Sequence, residues 1–370
     1  MTRWLQIALP LLFLLAAAAL RALDPAAVAE LRHKVFDNYQ RAEPRPYEAV
    51  PVTVVDLDDD TLAKNGQWPW PRTLLAELIA RLQEQGAATI ALDIVLSEPD
   101  RTSPSAVLAL WPDLPETRAL RELVESGRLL DHDAALARAI EGAPVVVGFA
   151  QADGTTAAAP LRKAGMAALG ADPSPHLLHY RGAVPTLEAI GAAAAGSGAV
   201  GVAPEADGVI RRVPLLVSYG GKVFPALGAE ALRVAMGAST YVVKSAGASG
   251  VVSFGESTGI SEIRIGDAVV PTDPSGRIWL YDTGPIPERS VPAWRVLDGS
   301  APADRIAGHI VLVGTSAAGL RDIRPSPLDP AAPGVVLQAQ LIEQIMTGRY
   351  LQRPDWADGA EFLFLILLGG

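Results

Sequence analysis

The feature that most constrains the fold is a stiff aromatic bend at residues 65–72, which read Asn-Gly-Gln-Trp-Pro-Trp-Pro-Arg. Each proline fixes its own φ angle and pushes the preceding residue toward extended backbone. We therefore expect Trp68 and Trp70 to be extended, with their side chains on opposite sides. Both rings suit either a core anchor or the wall of a ligand pocket. Pro71 suits the first position of a helix, so the segment predicts a rigid elbow between a strand and a helix.

Short, continuous apolar segments alternate with amphipathic helical segments along the chain. Continuous apolar strands are typical of parallel sheets that are buried on both faces. We therefore predict an α/β fold with a largely parallel sheet flanked by helices. The strand and helix segments are expected at Val52–Leu57, Pro71–Gln85, Thr89–Val95, Ala134–Ile140, Val145–Phe149, Ile310–Val313 and Val335–Met346. Asp131 is expected to cap the helix over 134–140.

An antiparallel β insertion is expected within this α/β fold. Gly220-Gly221 separates apolar segments at Ile210–Tyr219 and Lys222–Phe224, and a Gly-Gly pair in this position is typical of a hairpin turn. Residues 98–115 and 151–175 are rich in Pro, Ser, Ala, Gly and Asp, which predicts long loops. Further short strands are predicted at Ile263–Ile265, Val269–Val270 and Ile278–Tyr281.

Composition limits the classes of partner and chemistry. The chain has 370 residues and a formal net charge of −10. An acidic surface repels phosphate backbones, so we expect no nucleic acid partner. The chain has no cysteine, which excludes disulfides, thiolate catalysis and Cys-ligated zinc. The lack of cysteine suits an oxidising compartment, and no cofactor is expected.

Both ends of the chain are apolar. Residues 4–23 are long enough to cross a bilayer as one transmembrane helix, which would make residues 1–3 the cytoplasmic N-terminus. A cleaved signal peptide is the alternative interpretation. Residues 24–50 predict a juxtamembrane helix and a proline-containing linker. The apolar segment 360–370 is interpreted as the start of a truncated second transmembrane helix, or alternatively as a short buried helix.

Acidic residues follow two of the predicted strands. Asp56 and Asp58 end the first strand segment, and Asp93 lies near the end of the second. Ligands of parallel α/β sheets bind beyond the carboxyl ends of the strands, and carboxylates bind Mg²⁺ or Ca²⁺. These acids equally suit a turn and a helix cap, so no metal site is predicted. Ser316 follows another strand, but its Gly-x-Ser-x-x-Gly spacing is one residue too long for a nucleophile elbow.

Arg211 and Arg212 are adjacent at the start of a predicted strand, where successive side chains point to opposite faces. One guanidinium is expected inside, where it stays charged and needs a carboxylate. We expect this partner to be Asp322, with Asp93 as the other candidate, and an anionic signal bound by the arginine is the alternative. The remaining candidate ligand-binding or structural-pair residues are Trp68, Trp70 and Arg72 of the elbow.

The elbow and several later segments together resemble the second type of CHASE domain, the extracellular sensory module of bacterial cyclases and histidine kinases. The later segments are Val-Leu-Ser-Glu-Pro-Asp at 95–100, Asp-Gly-Val-Ile-Arg-Arg-Val-Pro-Leu at 207–215, the segment 308–322 and Pro-Gly-Val at 333–335. The resemblance covers roughly residues 30–355 of the chain. One conservative departure is Ser326-Pro327, where Thr-Pro is expected.

The resemblance implies that residues 51–355 form a sensory domain in the periplasm, anchored in the bacterial inner membrane. It implies an output domain absent from this chain, most readily an adenylate or guanylate cyclase, otherwise a histidine kinase, a diguanylate cyclase or a Ser/Thr kinase. The chain itself is expected to have no enzymatic activity, to respond to an unknown extracellular signal or small ligand, and to act as a homodimer. The alternatives are a periplasmic hydrolase that uses the acidic strand edge and Ser316, and a partner-binding module without transduction.

Overall fold

A computed structural model of the chain describes residues 2–156, 158–245, 259–320, 322–353 and 356–369. Its helices are α1 (Thr2–Leu23), α2 (Ala26–Ala42), α3 (Asp59–Asn65), α4 (Arg72–Glu84), α5 (Pro104–Ala109), α6 (Pro115–Glu125), α7 (His132–Ile140), α8 (Glu188–Ala193), α9 (Leu227–Ala235), α10 (Ala293–Leu297), α11 (Gly334–Thr347) and α12 (Ala357–Gly369). Short 3-10 turns lie at Pro287–Arg289, Ala303–Arg305 and Ala318–Leu320.

The strands form a central sheet and smaller sheets beside it. They are β1 (Val52–Asp56), β2 (Thr89–Leu92), β3 (Val145–Ala152), β4 (Gly165–Leu169), β5 (Leu178–Tyr180), β6 (Gly182–Val184), β7 (Gly196–Ala199), β8 (Arg212–Pro214), β9 (Leu216–Tyr219), β10 (Lys222–Pro225), β11 (Thr240–Ser245), β12 (Ile260–Ile265), β13 (Ala268–Pro271), β14 (Arg277–Trp279), β15 (Ser290–Pro292) and β16 (Ile310–Gly314).

The central sheet has the strand order β15–β1–β16–β2–β3, with β7 also paired to β3. All of these pairs are parallel, whereas β6 is antiparallel to β3. Strand β16 lies between β1 and β2, so Leu312 is opposite both Val54 and Ala91. The predicted α/β class with a largely parallel central sheet is thus confirmed.

Strand alternation divides the apolar side chains of the central sheet between two cores. Val52 and Val54 of β1 belong to a core with α9 and α11, whereas Val55 and Leu57 belong to a core with α4, α7, α8 and α10. Both faces of the sheet are therefore covered by helices, as buried parallel strands require. The result is a three-layer arrangement of helices, sheet and helices. The helices cover the faces of the sheet, so the ends of its strands are not covered by these layers.

Local signals explain where several helices begin and end. Helix α4 follows Pro71, and α7 is capped by the Asp131 carboxylate, which accepts a hydrogen bond from the N–H of Ala134 at 3.0 Å, as predicted. The cap of α3 is Asp58, whose carboxylate accepts a hydrogen bond from the N–H of Thr61 at 2.7 Å.

The antiparallel insertion is confirmed in its main parts and wrong in others. Strands β9 and β10 form the predicted hairpin, and both residues of its Gly-Gly turn have positive φ. The predicted strand over 210–219 is divided, because β8 pairs with β14 and β9 pairs with β10. The predicted loop over 151–175 contains β4, which pairs with β11, and the one over 98–115 contains α5. Composition alone did not predict these elements, because segments of small residues also form strands and helices when tertiary packing favours them.

Helices α1 and α12 pack against each other at the two ends of the chain. The Nε of Arg21 lies 2.5 Å from a carboxylate oxygen of Glu361. Among the described residues, no single helix is both long and apolar enough to cross a membrane. Helices α1 and α2 satisfy those two criteria only as a pair, Leu11–Arg21 with Ala26–Ala42, which is bent by 74°. The predicted transmembrane helix is therefore not confirmed.

Candidate functional site

A cavity of about 950 Å³ lies beyond the carboxyl ends of the central parallel strands. Its floor is formed where β1, β2 and β16 end, at Leu57, Asp93 and Thr315. One wall is the elbow that precedes α4, and the opposite wall is the loop at 200–204 that follows β7. In open α/β sheets, ligands bind in this position. The cavity is therefore the candidate functional site.

The elbow contributes one tryptophan to the cavity and one to the core. Trp70 is buried, and its indole N–H donates to the carbonyl of Gly66 at 2.8 Å. Trp68 is half-buried and lines the cavity together with Pro69, to which it is joined by a cis peptide bond. The two rings lie 6.0 Å apart between centroids, so the prediction of opposite sides was wrong. Residues 67–69 form a bend, where the side-chain alternation of a strand does not apply.

Arg72 lines the cavity at the start of α4 and is held by the segments opposite it. Its Nε lies 3.2 Å from Asp133, and an Nη donates to the carbonyl of Glu98 at 3.0 Å. Its backbone N–H donates to the carboxylate of Asp100 at 2.7 Å. Asp133 also accepts from the N–H of Asp100 at 2.9 Å. These contacts join the elbow to the 95–100 segment at several points and so hold the two parts of this cavity wall together.

Asp93 and Asp322 lie together in the cavity wall with Arg324. Burial, together with the negative charge of Asp322, raises the pKa of Asp93 to about 8, and Arg324 opposes this shift. An Nη of Arg324 lies 3.2 Å from a carboxylate oxygen of Asp322. The guanidinium of Arg324 is therefore paired with Asp322 rather than with Asp93. At neutral pH the Asp93 carboxyl is therefore largely protonated and offers an O–H donor to the cavity.

Arg211 is the buried arginine, but Asp322 and Asp93 are not its partners. Its guanidinium makes two hydrogen bonds of 2.7 Å to Asp37 of α2, and two of 2.9 and 2.7 Å to Asp207. The predicted pairing was wrong because the carboxylate comes from the juxtamembrane helix rather than from the end of a central strand. The side-chain hydrogen bonding from Arg211 is the main reason that the pKa of Asp207 is lowered to about 2.

Arg212 is more exposed than Arg211, as strand alternation predicts. It donates to Glu205 at 2.7 and 2.8 Å and to Asp273 at 3.2 Å, and its guanidinium stacks on the ring of Trp279. Every one of these partners lies outside the cavity lining. The arginine pair therefore stands beside the cavity, while Trp68, Arg72, Asp93 and Asp322 lie in its wall.

The acidic strand edge is occupied by internal hydrogen bonds. Asp56 accepts from the N–H and the hydroxyl of Ser316 at 2.9 and 2.6 Å, and burial raises the pKa of Asp56 against those bonds. Within the described ranges, no group of three or more His, Asp or Glu side chains could hold a metal ion. His309 lies before β16 and contacts Thr53 at 2.8 Å, at the opposite end of the strand from Ser316.

Sequence reasoning missed much of the cavity wall. The loop at 200–204, the polar residues Ser97 and Glu98, and Asp153 all line the cavity. The Gly-x-Gly-x-x-Gly pattern at 196–201 covers β7 and the start of this wall, because Val200 and Gly201 line the cavity. The lining combines carboxyl groups, guanidinium groups, an indole ring and aliphatic side chains. Such a surface suits a small ligand with both polar and apolar parts.

Comparison with known proteins identifies the family. The family model described as the CHASE2 domain matches residues 11–370, nearly the whole chain. Neither a search of curated proteins nor a search of solved structures found a significant match. The family consists of extracellular sensor domains of signalling proteins. The chain therefore belongs to the CHASE2 domain family and is an extracellular sensor domain.

Proposed function

We propose that this sensor domain is anchored in the bacterial inner membrane, faces the periplasm and detects a small ligand that binds in the central cavity. The observation that carries the proposal is the cavity itself, about 950 Å³ in volume, at the carboxyl ends of the parallel strands. Clefts of this size commonly enclose small molecules, and a few polar groups in an otherwise apolar lining give them specificity.

The two terminal helices support membrane anchoring. Leu12 and Phe13 of α1 and Leu367 of α12 are exposed, although all three are large and apolar. Packed helices with apolar outer surfaces suit a lipid environment. The Arg21–Glu361 pair lies near the C-terminal end of α1 and the N-terminal end of α12, which is the side nearest to the domain. Charged pairs of this kind are favourable at a membrane–water interface.

The exposed side of α2 supports a homodimer. Val28, Leu31, Val35 and Tyr39 are exposed and follow helical spacing along one face, opposite the buried Asp37. An apolar stripe of this kind suits pairing with the same stripe of a second copy. Because the chain has no cysteine, Leu31→Cys introduces a single thiol. Oxidation should then give a disulfide-linked dimer, whereas Arg41→Cys on another face should remain monomeric; equal cross-linking of both variants would argue against this stripe.

The output that this sensor controls is expected to be an enzyme. Adenylate or guanylate cyclases come first, followed by histidine kinases, diguanylate cyclases and Ser/Thr kinases, since these are the proteins that carry the sensory module that the sequence resembles. The coding sequence downstream of Gly370 tests this directly. An assay of the corresponding nucleotide product or phosphotransfer in the full-length protein would then establish the activity.

The hydrolase alternative has little geometric support. The Ser316 hydroxyl donates to Asp56, and His309 contacts Thr53 at the other end of β16. Serine nucleophiles are generally activated by a histidine that a third group orients, and His309 is at the other end of β16 from Ser316. The geometry therefore favours a structural turn after β16 over a catalytic serine.

A thermal-shift screen of small molecules against the full chain tests the ligand proposal. Ala203→Trp fills part of the cavity, and Ala159→Trp adds the same side chain at a neighbouring cavity whose lining shares only Ser97 with the first. A ligand of the central cavity should raise the melting temperature of the native chain and of Ala159→Trp, but not of Ala203→Trp. Compounds that stabilise all three proteins equally would contradict binding in this cavity.

Reporter fusions test the proposed topology. Gly127 and Gly299 lie in turns, where an inserted reporter disturbs the fold least. Fusions at both positions should be active as periplasmic reporters and inactive as cytoplasmic ones. Cytoplasmic activity at both positions would refute a periplasmic domain.

A further inference from the structure

Helix α2 is attached to the domain by buried polar groups and by the half-buried ring of Phe36, whose centroid lies 5.0 Å from that of Trp279. Its buried residues are Asp37 and Gln40, whereas most of its apolar side chains are exposed. Asp37 binds Arg211, and Gln40 donates to the carbonyl of Leu280 at 2.6 Å. Hydrogen bonds require particular distances and directions, unlike apolar packing. The position of α2 on the domain is therefore sensitive to small movements of the groups that hold it.

Arg211, which binds Asp37 of α2, is connected to the cavity by the loop between β7 and β8. Residues 200–204 of this loop line the cavity, and the turn that follows is closed by a bond from the N–H of Gly208 to the carbonyl of Glu205 at 2.9 Å. Asp207 in that turn makes two bonds to Arg211, and Arg211 makes two to Asp37 of α2. Only two residues, Glu205 and Ala206, thus lie between the cavity wall and Asp207, whose side chain holds Arg211.

Asp282, which binds Gln40 of α2, is connected to the cavity by the loop before α11. Asp322 and Arg324 line the cavity, and the next residue, Pro325, accepts from the N–H of Ile210 at 2.7 Å. The Ser326 hydroxyl then donates to the carboxylate of Asp282 at 2.6 Å. The N–H of Asp282 donates to the side chain of Gln40 at 3.1 Å. This path also ends on α2, at its other buried residue.

We propose that these two paths couple the cavity to α2, so that occupancy of the cavity changes how α2 is held. The inference rests on the proposed function only in that the cavity receives the signal. Buried charges repay their desolvation only in good geometry, and Arg211 must serve Asp37 and Asp207 at once. A ligand that displaces the 200–204 wall moves Asp207, changes that geometry and shifts the preferred position of α2.

The absence of cysteine allows a test that needs no natural ligand. Ala150 lines the cavity near the end of β3, beside the 200–204 loop, so Ala150→Cys labelled with N-phenylmaleimide fills the cavity next to that loop. Hydrogen exchange of the α2 amides is compared in the labelled and unlabelled full chain, with labelling verified by mass. Ala159→Cys, at the neighbouring cavity, is the matched labelling control. The same comparison is made in an Asp207→Asn, Ser326→Ala background.

Labelling at position 150 should change exchange in α2 about threefold or more. The change should be absent after labelling at position 159 and largely lost in the Asp207→Asn, Ser326→Ala background. Ser326→Thr retains the hydroxyl and should retain the response. Unchanged exchange in α2 after labelling at position 150, or an equal change in that background, would overturn the coupling. A ligand screen that finds no binder would weaken the proposed function. The exchange experiment would still test the coupling, because it needs no natural ligand.

Discussion

Asp93→Asn offers a quantitative test of the electrostatics of the cavity. The substitution keeps the size of the side chain and removes its titration. In the folded chain, burial and the neighbouring Asp322 raise the pKa of Asp93 to about 8, against the usual 3.8. Between these values, the folded chain keeps a proton on Asp93 that the unfolded chain has released.

The sign of the effect follows from that difference in bound protons. Stability falls with rising pH wherever the folded state binds more protons than the unfolded state. The contribution of Asp93 is therefore present in full below its unfolded pKa and is lost as pH rises through its folded pKa. One proton corresponds to about 1.4 kcal/mol of unfolding free energy for each unit of pH. The native chain should lose about that much, relative to Asp93→Asn, for each unit between about pH 5 and 7.

Denaturant unfolding of the purified full chain, followed by tryptophan fluorescence at several pH values, measures this difference directly. Asp207→Asn is a useful control because its partner Arg211 lowers the pKa of Asp207 to about 2. The contribution of Asp207 to stability is lost only as pH falls from about 4 toward 2. The unfolding free energy of Asp207→Asn should therefore change with pH in parallel with that of the native chain above pH 5. Parallel curves for Asp93→Asn and the native chain over the same range would refute the argument.

The remaining predictions concern buried side chains and use thermal and denaturant unfolding. Trp70→Ala should cost about 3–5 kcal/mol, because the ring is buried and its N–H is bonded; Trp68→Ala should cost less, since that ring is half-buried. Similar, near-zero effects of both would contradict the anchor role of the elbow. Glu343→Gln should cost about 3–5 kcal/mol, because Arg45 and Arg289 both lose a buried carboxylate. A neutral result would show that the arginines find other partners.

The sequence predicted the strands of the central sheet well, but not their order. The apolar runs at 52–57, 89–95 and 310–313 are local signals, and each corresponds to a strand. Their order depends on contacts between residues that are far apart in the chain. Nothing near 310–313 indicates that β16 enters between β1 and β2. The position of the cavity was anticipated only as a set of acids at strand ends.

The candidate site shows the same division between local and distant information. Alternation correctly predicted that Arg211 and Arg212 differ in burial. The partner of Arg211, Asp37, lies on a helix that sequence reasoning treated only as a connection to the membrane. A single Asp on an amphipathic helix carries no local sign of burial. Asp207, four residues before Arg211, could have been recognised from its turn.

The place of β16 in the central sheet also determines the order in which this domain can fold. Among the strands that the structure describes, β1 pairs only with β15 and β16, so it has no neighbour in the sheet until residues 290–314 have been made. Sheets that depend on such distant pairings form slowly, since a long loop must close first. During synthesis, β1 is therefore an unpaired apolar segment over this interval, whereas β2 can pair with β3 as soon as residues 145–152 have been made. A chain of this kind needs protection from aggregation until residues 290–314 have emerged.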